Sequence, residues 1–265
     1  MNELMYSQSS LAIVAGLLVV MLLATEAGYR AGRRRAGVAS DAIRSQANTV
    51  LAAMLGLLAL LFGFTYSLAL QRYEDRSQAI VAEANAIGTA WLRSQLLPAG
   101  VSGEAQSTLR KYIDLRVREG RITLDAASER SALIRQGNAV GMQLWDLAAK
   151  AAATDDRPVT SGLFIQAVND ALDAAERRRA AFERHVPESV LYLVFLTFLM
   201  AAVTLGYASG AAHHRVTMPG ITLVILIALV AYLIIDLDRP RRGMIQVSHD
   251  SLIELQRGMA EKPRP

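Results

Sequence analysis

Cysteine is absent from the 265 residues. A structural disulfide, a thiolate zinc site, an iron–sulfur cluster and a cysteine nucleophile are thereby excluded in any compartment. Histidine is scarce, with only His185, His213, His214 and His249. None falls into an HxxxH or HExxH pattern, and the adjacent pair 213–214 sits in a short loop beside Arg215, where neighbouring side chains diverge; interfacial polar residues are the simpler reading than a metal site. The phosphate-cradling and nucleophile-elbow motifs GxxxxGK[ST], GxGxxG and GxSxG are also missing. No cofactor, no metal, no catalytic residue and no enzymatic activity are therefore expected.

Charge is in short supply too. Charged residues make up 20% of the chain and hydrophobic ones 52%, with a mean hydropathy of +0.26, which is too apolar for an ordinary soluble domain. The net charge of +4 does not point to nucleic acid, because the basic residues flank apolar runs or mix with acids. Residues 71–187 hold 16 basic and 15 acidic side chains, a balance that builds no phosphate-tracking stripe.

What the chain has instead is four long apolar runs, at about 8–24, 50–70, 189–207 and 219–235, each close to the length that crosses ~30 Å of hydrocarbon at 1.5 Å per residue. The run 50–70 carries no charge. Pro219 suits the first turn of the fourth. The first run has the position of a secretory signal, but Glu3 precedes it and Arg30, Arg33, Arg34 and Arg35 follow it, the reverse of a signal peptide's charge order. It is read as a span. Two membrane hairpins follow, 1–70 and 188–236, with a helical soluble domain at 71–187 and a polar C-terminal tail at 237–265.

Within 71–187 apolar residues recur at three and four. Ile80, Val81, Ala84, Ile87 and Trp91 form one face; Leu109, Ile113 and Leu115 to Val117 a second; Leu133, Ile134, Leu144, Trp145, Leu147 and Ala148 a third; Leu163, Phe164, Val168 and Leu172 a fourth. Breaks are expected at Pro98 to Gly103, at Gly120 and at Asp155 to Pro158, with Thr160 or Ser161 capping the next helix. No proline interrupts 50–96, so the second span is expected to continue beyond the membrane as one helix. Acids and bases such as Asp155 and Asp156, or Asp173 with Glu176 and Arg177, are read as solvated helix faces. Gly28 to Gly32 and Gly206 to Gly210 have the GxxxG spacing that favours close helix packing and also arises by chance in small-residue spans.

Four crossings place both termini and the 71–187 domain on one side and the two short loops on the other. The ends of spans two and four then share a face, so Arg72, Glu74, Asp75 and Arg76 are expected near Asp236, Asp238, Arg239, Arg241 and Arg242, as a salt-bridged collar or as a solvated charged rim. Orientation stays open. Five arginines in the first loop assign it to the cytoplasm, and basic clusters beside the domain pull the other way.

The stretch Leu61-Phe-Gly-Phe-Thr-Tyr-Ser-Leu-Ala-Leu-Gln-Arg-Tyr-Glu-Asp-Arg76, followed by Glu83-Ala-Asn85-Ala-Ile-Gly88, resembles the second span of the bestrophin family of anion and cation channels and its continuation. Asp236-Leu-Asp-Arg-Pro240-Arg-Arg-Gly243 is similar to the segment that follows the fourth span in that family. With Glu26-Ala-Gly-Tyr-Arg, these stretches match recurring signatures of the bacterial bestrophin-like family of unknown function, and the resemblance covers nearly the whole chain. It implies a homo-oligomer, pentameric in bestrophins, with the second spans around a pore. Aligning the Gly-Phe motif puts Gly56, Leu60 and Phe64 in the narrow neck, with Arg72 and Arg76 at the mouth. Two differences stand out: the acidic calcium-clasping run of animal bestrophins is missing, so calcium gating is not implied, and Gly56 leaves one neck ring open.

The expectation is an all-α, multi-pass protein of the inner cell membrane, bestrophin-like, forming an oligomeric ion pore that handles inorganic ions in a lipid bilayer and binds no nucleic acid. The alternative is a non-conducting, membrane-anchored sensor or scaffold whose helical domain binds a partner.

Overall fold

The computed structural model describes residues 9–36, 41–122, 126–155, 157–215, 218–239 and 243–261. Every regular element among them is helical: α1 (Ser10–Arg35), α2 (Asp41–Ser94), α3 (Ala99–Arg121), α4 (Ala127–Thr154), a π-helical turn (Pro158–Gly162) that runs into α5 (Leu163–Glu183), α6 (Glu188–Ala211), α7 (Met218–Asp238) and α8 (Asp250–Ala260). Four apolar segments, in α1, in α2, in the α5–α6 stretch and in α7, are long enough to cross a membrane. The protein is an all-α, multi-pass membrane protein.

The chain divides into two compact units, residues 1–72 with 185–245 and residues 73–184 with 246–265. The boundary falls inside α2, a single helix of 54 residues, about 80 Å long at 1.5 Å per residue. It has no internal proline to break it.

The first unit is the apolar one. Met21, Leu58, Val194, Phe198, Val224 and Ile227 meet in its core. Its tightest contact is between α1 and α6, and both GxxxG spacings lie there. A Cβ on Gly28 would overlap the Val203 carbonyl oxygen, and one on Gly32 that of Tyr207. From the other helix, a Cβ on Gly206 would overlap the Thr25 carbonyl and one on Gly210 that of Tyr29. Backbone therefore lies directly on backbone, in the small-residue packing that replaces the hydrophobic effect where lipid is the solvent.

The second unit buries Ile80, Ile87, Leu109, Ile113, Leu144, Phe164 and Val168 around one core. The expected helical faces hold with two exceptions, Val81 and Trp145, which are 45% and 38% exposed. The first break is narrower than expected, because α3 starts at Ala99 and takes Gly100 and Gly103 into its opening turns. Thr160 does not cap α5. Its hydroxyl hydrogen-bonds the carboxylate of Asp155, which also accepts from Arg157 at 2.8 Å, so Asp155 is a buried loop anchor and not part of a solvated face. Asp156 lies outside the described residues.

The stretch read as a polar tail holds a docked helix. In α8, Leu252 and Met259 are 0% and 1% exposed, Leu255 rests against Gly88 of α2, and Arg110 Nε donates to the Met259 carbonyl at 3.0 Å. That guanidinium also lies 4.9 Å from the centre of the Trp91 ring. The amphipathic spacing of Leu252, Leu255 and Met259 across an 11-residue helix explains why a polar composition still folds onto the core.

Candidate functional site

The second span stands apart from the others. Only 6% of its most apolar window is buried within the protomer, against 28%, 33% and 44% for the other three. Leu58, Thr65 and Ala69 point into the unit, and Thr204 Oγ1 reaches the Met54 sulfur at 3.5 Å. The opposite face carries Gly56, Leu60 and Phe64. Leu60 is 55% exposed, Phe64 is 66% exposed, and a Cβ on Gly56 would meet nothing within 4 Å. The same face continues along the helix through Ser67, Gln71, Glu74 and Gln78, all exposed. On an ideal helix these seven residues fall within an arc of about 80°. Among the described residues these seven stay exposed, and the stripe changes from apolar to polar along its length.

Charged residues expected at the membrane ends have quite different settings. Glu74 is exposed and Arg72 and Asp75 are half-buried, whereas Arg76, Asp236, Asp238 and Arg239 are almost completely buried. A solvated rim is therefore incorrect for those four. Arg76 donates to the carbonyls of Ala181 and Arg184, at 3.3 and 2.6 Å, satisfying the C-terminal end of α5. Its guanidinium caps that helix end. The Asp238 carboxylate accepts the Val186 amide at 3.0 Å just before α6. The Asp236 carboxylate accepts the Ile245 amide at 2.9 Å and lies where a Cβ on Gly243 would fall, so a side chain at 243 would displace it. Arg239 reaches Ser10 Oγ at 3.3 Å. Pro240, Arg241 and Arg242 lie outside the described residues.

The remaining signature positions have different settings. Asn85 is exposed, and its carbonyl accepts from Thr89. Gly88 admits Leu255. Glu26 pairs with Arg30 at 2.8 Å on an exposed face.

Glu83 belongs to a constellation that the sequence reading overlooked. In the second unit it faces two arginines, Arg116 at 2.5 Å and Arg178 at 3.0 Å. Both also contact Glu119, at 2.6 and 3.0 Å. The four side chains, none more than 7% exposed, alternate in sign and sum to zero, the condition under which ions survive away from water. They tie α2 to α3 and α5. Tyr112 lies beside them, and burial pushes its phenol up to about 12. Among the described residues no group of three or more His, Asp and Glu side chains is arranged to hold a metal.

A model of the bestrophin-like domain matches residues 15–252. The chain belongs to the bestrophin-like family. Its fold is similar to that of a bacterial bestrophin homolog from Klebsiella pneumoniae. A point variant of that homolog superposes with a TM-score of 0.70 at 14% identity, over 95% of this chain and 97% of the other. Another crystal structure of the homolog gives 0.68 at 14% identity, over 93% and 97%. A variant of a protein described only as a membrane protein gives 0.65 at 13% identity, over 91% and 95%. No curated protein matches the sequence. At these identities the shared feature is the bestrophin fold.

Proposed function

We propose that this bestrophin-like protein assembles as a homo-pentamer in the inner cell membrane and conducts ions along an axis lined by its second spans. The observation that carries this reading is the bare stripe on α2. Leu60 and Phe64 stay exposed on the span that the rest of the chain covers least, and the same face turns polar at Gln71, Glu74 and Gln78 as the helix leaves the membrane. A ring of identical helices accounts for both halves of the stripe: Leu60 and Phe64 form an apolar constriction that gates by dewetting, and the polar residues line a wet vestibule.

Glu74 is the charged side chain exposed on the stripe, so the vestibule of a ring has a negative field, which favours cations over anions. Arg76, buried against carbonyls, takes no part in selecting ions. The test is flux through vesicles containing the purified protein. Phe64→Ala should raise cation flux by widening the neck, and Glu74→Gln should lower the cation preference. Absence of flux in both the parent and Phe64→Ala would contradict the reading.

A further inference from the structure

The first unit has a second feature, unrelated to the α2 stripe. At the basic end of α1 a crevice of about 220 Å³ opens between α1 and α7. Its floor is Val224, 2% exposed, and its walls are Leu22 and Ile221, 46% and 41% exposed. The crevice is therefore apolar and open along its side. Its volume is below that of a pocket enclosing a whole small molecule and suits a segment of an acyl chain.

The rim has the opposite character. Tyr29, 5% exposed, is met by two arginines: Arg33 Nη1 donates to its hydroxyl at 2.8 Å, and the Arg215 guanidinium lies over the ring face, 5.9 Å from its centre. The chain brings Arg215 there through the cap that ends α6. His213 takes a left-handed backbone, φ 58, and the amide of His214 donates back to the Ser209 carbonyl, as in a Schellman-type turn. A cation–π contact uses none of the five N–H donors of a guanidinium. Glu26, also on the rim, is offset by Arg30. Arg215 and Glu26 are the charged residues that line the crevice; with Arg30 and Arg33 on the adjoining turns of α1, three arginines against one glutamate leave its surroundings positive by two charges, where the span gives way to polar chain.

We infer that this crevice binds one anionic phospholipid per protomer, with an acyl chain between Leu22, Ile221 and Val224 and the phosphate at Arg215 and Arg33. Charge complementarity selects the occupant: a zwitterionic headgroup would bring an ammonium to a rim already in cationic excess.

Native mass spectrometry of the full-length protein in detergent tests this, with phosphatidylglycerol, phosphatidylcholine or inorganic phosphate added. One phosphatidylglycerol per protomer should survive activation that strips phosphatidylcholine. Arg215→Gln should lower its retention about tenfold or more. Ile221→Trp, at a half-exposed wall position, should abolish it by filling the crevice. Arg34→Gln should leave retention unchanged. Equal retention of the two lipids, or undiminished phosphatidylglycerol in Ile221→Trp, would overturn the inference. Inorganic phosphate held as firmly as the lipid would replace it with a plain anion site.

Discussion

Glu83 and Arg116, 33 residues apart in sequence, meet through Oε1 and Nε at 2.5 Å with side chains 0% and 4% exposed. Their closeness in a dry setting makes each charge depend on the other. Arg178 and Glu119 close the group, so each charge has two opposite neighbours.

Removing one member leaves buried charge without its counterpart. Glu83→Ala should cost about 3–5 kcal/mol of stability. Asp173→Ala, at an exposed position, should change stability by less than about 0.5 kcal/mol. Thermal or denaturant unfolding of the detergent-solubilised protein distinguishes them, and similar losses for both would contradict the assignment of the cluster.

Glycines of the spans should split into two groups. Gly206→Leu forces a side chain into the backbone of α1 and should destabilise by at least about 1–3 kcal/mol. Gly56→Leu meets open space, so it should leave the fold intact and, by adding a third apolar ring to the proposed neck, reduce flux. Stability and flux measured on the same two variants check both effects.

Alkaline titration should isolate Tyr112. Its phenol is raised from 10 to about 12 in the folded protein, first by burial. Between those values the folded state holds a proton that the unfolded state has released. Its contribution to stability is therefore complete below about pH 10 and is lost as the pH rises through about 12. Tyr112→Phe should flatten that decline relative to the parent, with no matching change near neutral pH.

Docking of α8 should matter to the whole second unit. Leu252→Ala empties a fully buried site and should cost about 2–5 kcal/mol. Ile253→Ala, at a partly buried position, should cost less, and the comparison can be read from unfolding midpoints.

The spans were legible because uninterrupted apolar runs such as 50–70 have few alternatives in water or lipid. The continuity of α2 was legible from its missing proline. The apolar faces of the second unit followed from helical period, though Val81 and Trp145 fell at their edges. Other features required contacts between distant parts of the chain. Whether the GxxxG spacings meant packing depended on the partner helix, and both proved to lie at one crossing. The buried ion cluster left a weaker trace: Glu83 lies between Ile80 and Ile87, Arg116 between Leu115 and Val117, and Arg178 follows Ala171 and Ala174 at helical spacing. Charge on an otherwise apolar face was the available cue, and overall charge balance masked it. The α8 helix was obscured by a polar composition in which Leu252 and Met259 are the anchors.

The central claim is that the bare stripe of α2 faces its own copies around an axis. The mass of the detergent-solubilised protein, with bound detergent subtracted, tests it most directly. The account predicts five protomers of 28.7 kDa. A monomer or dimer across detergents and lipid nanodiscs would contradict it, because no central pathway could then be enclosed by one span per subunit.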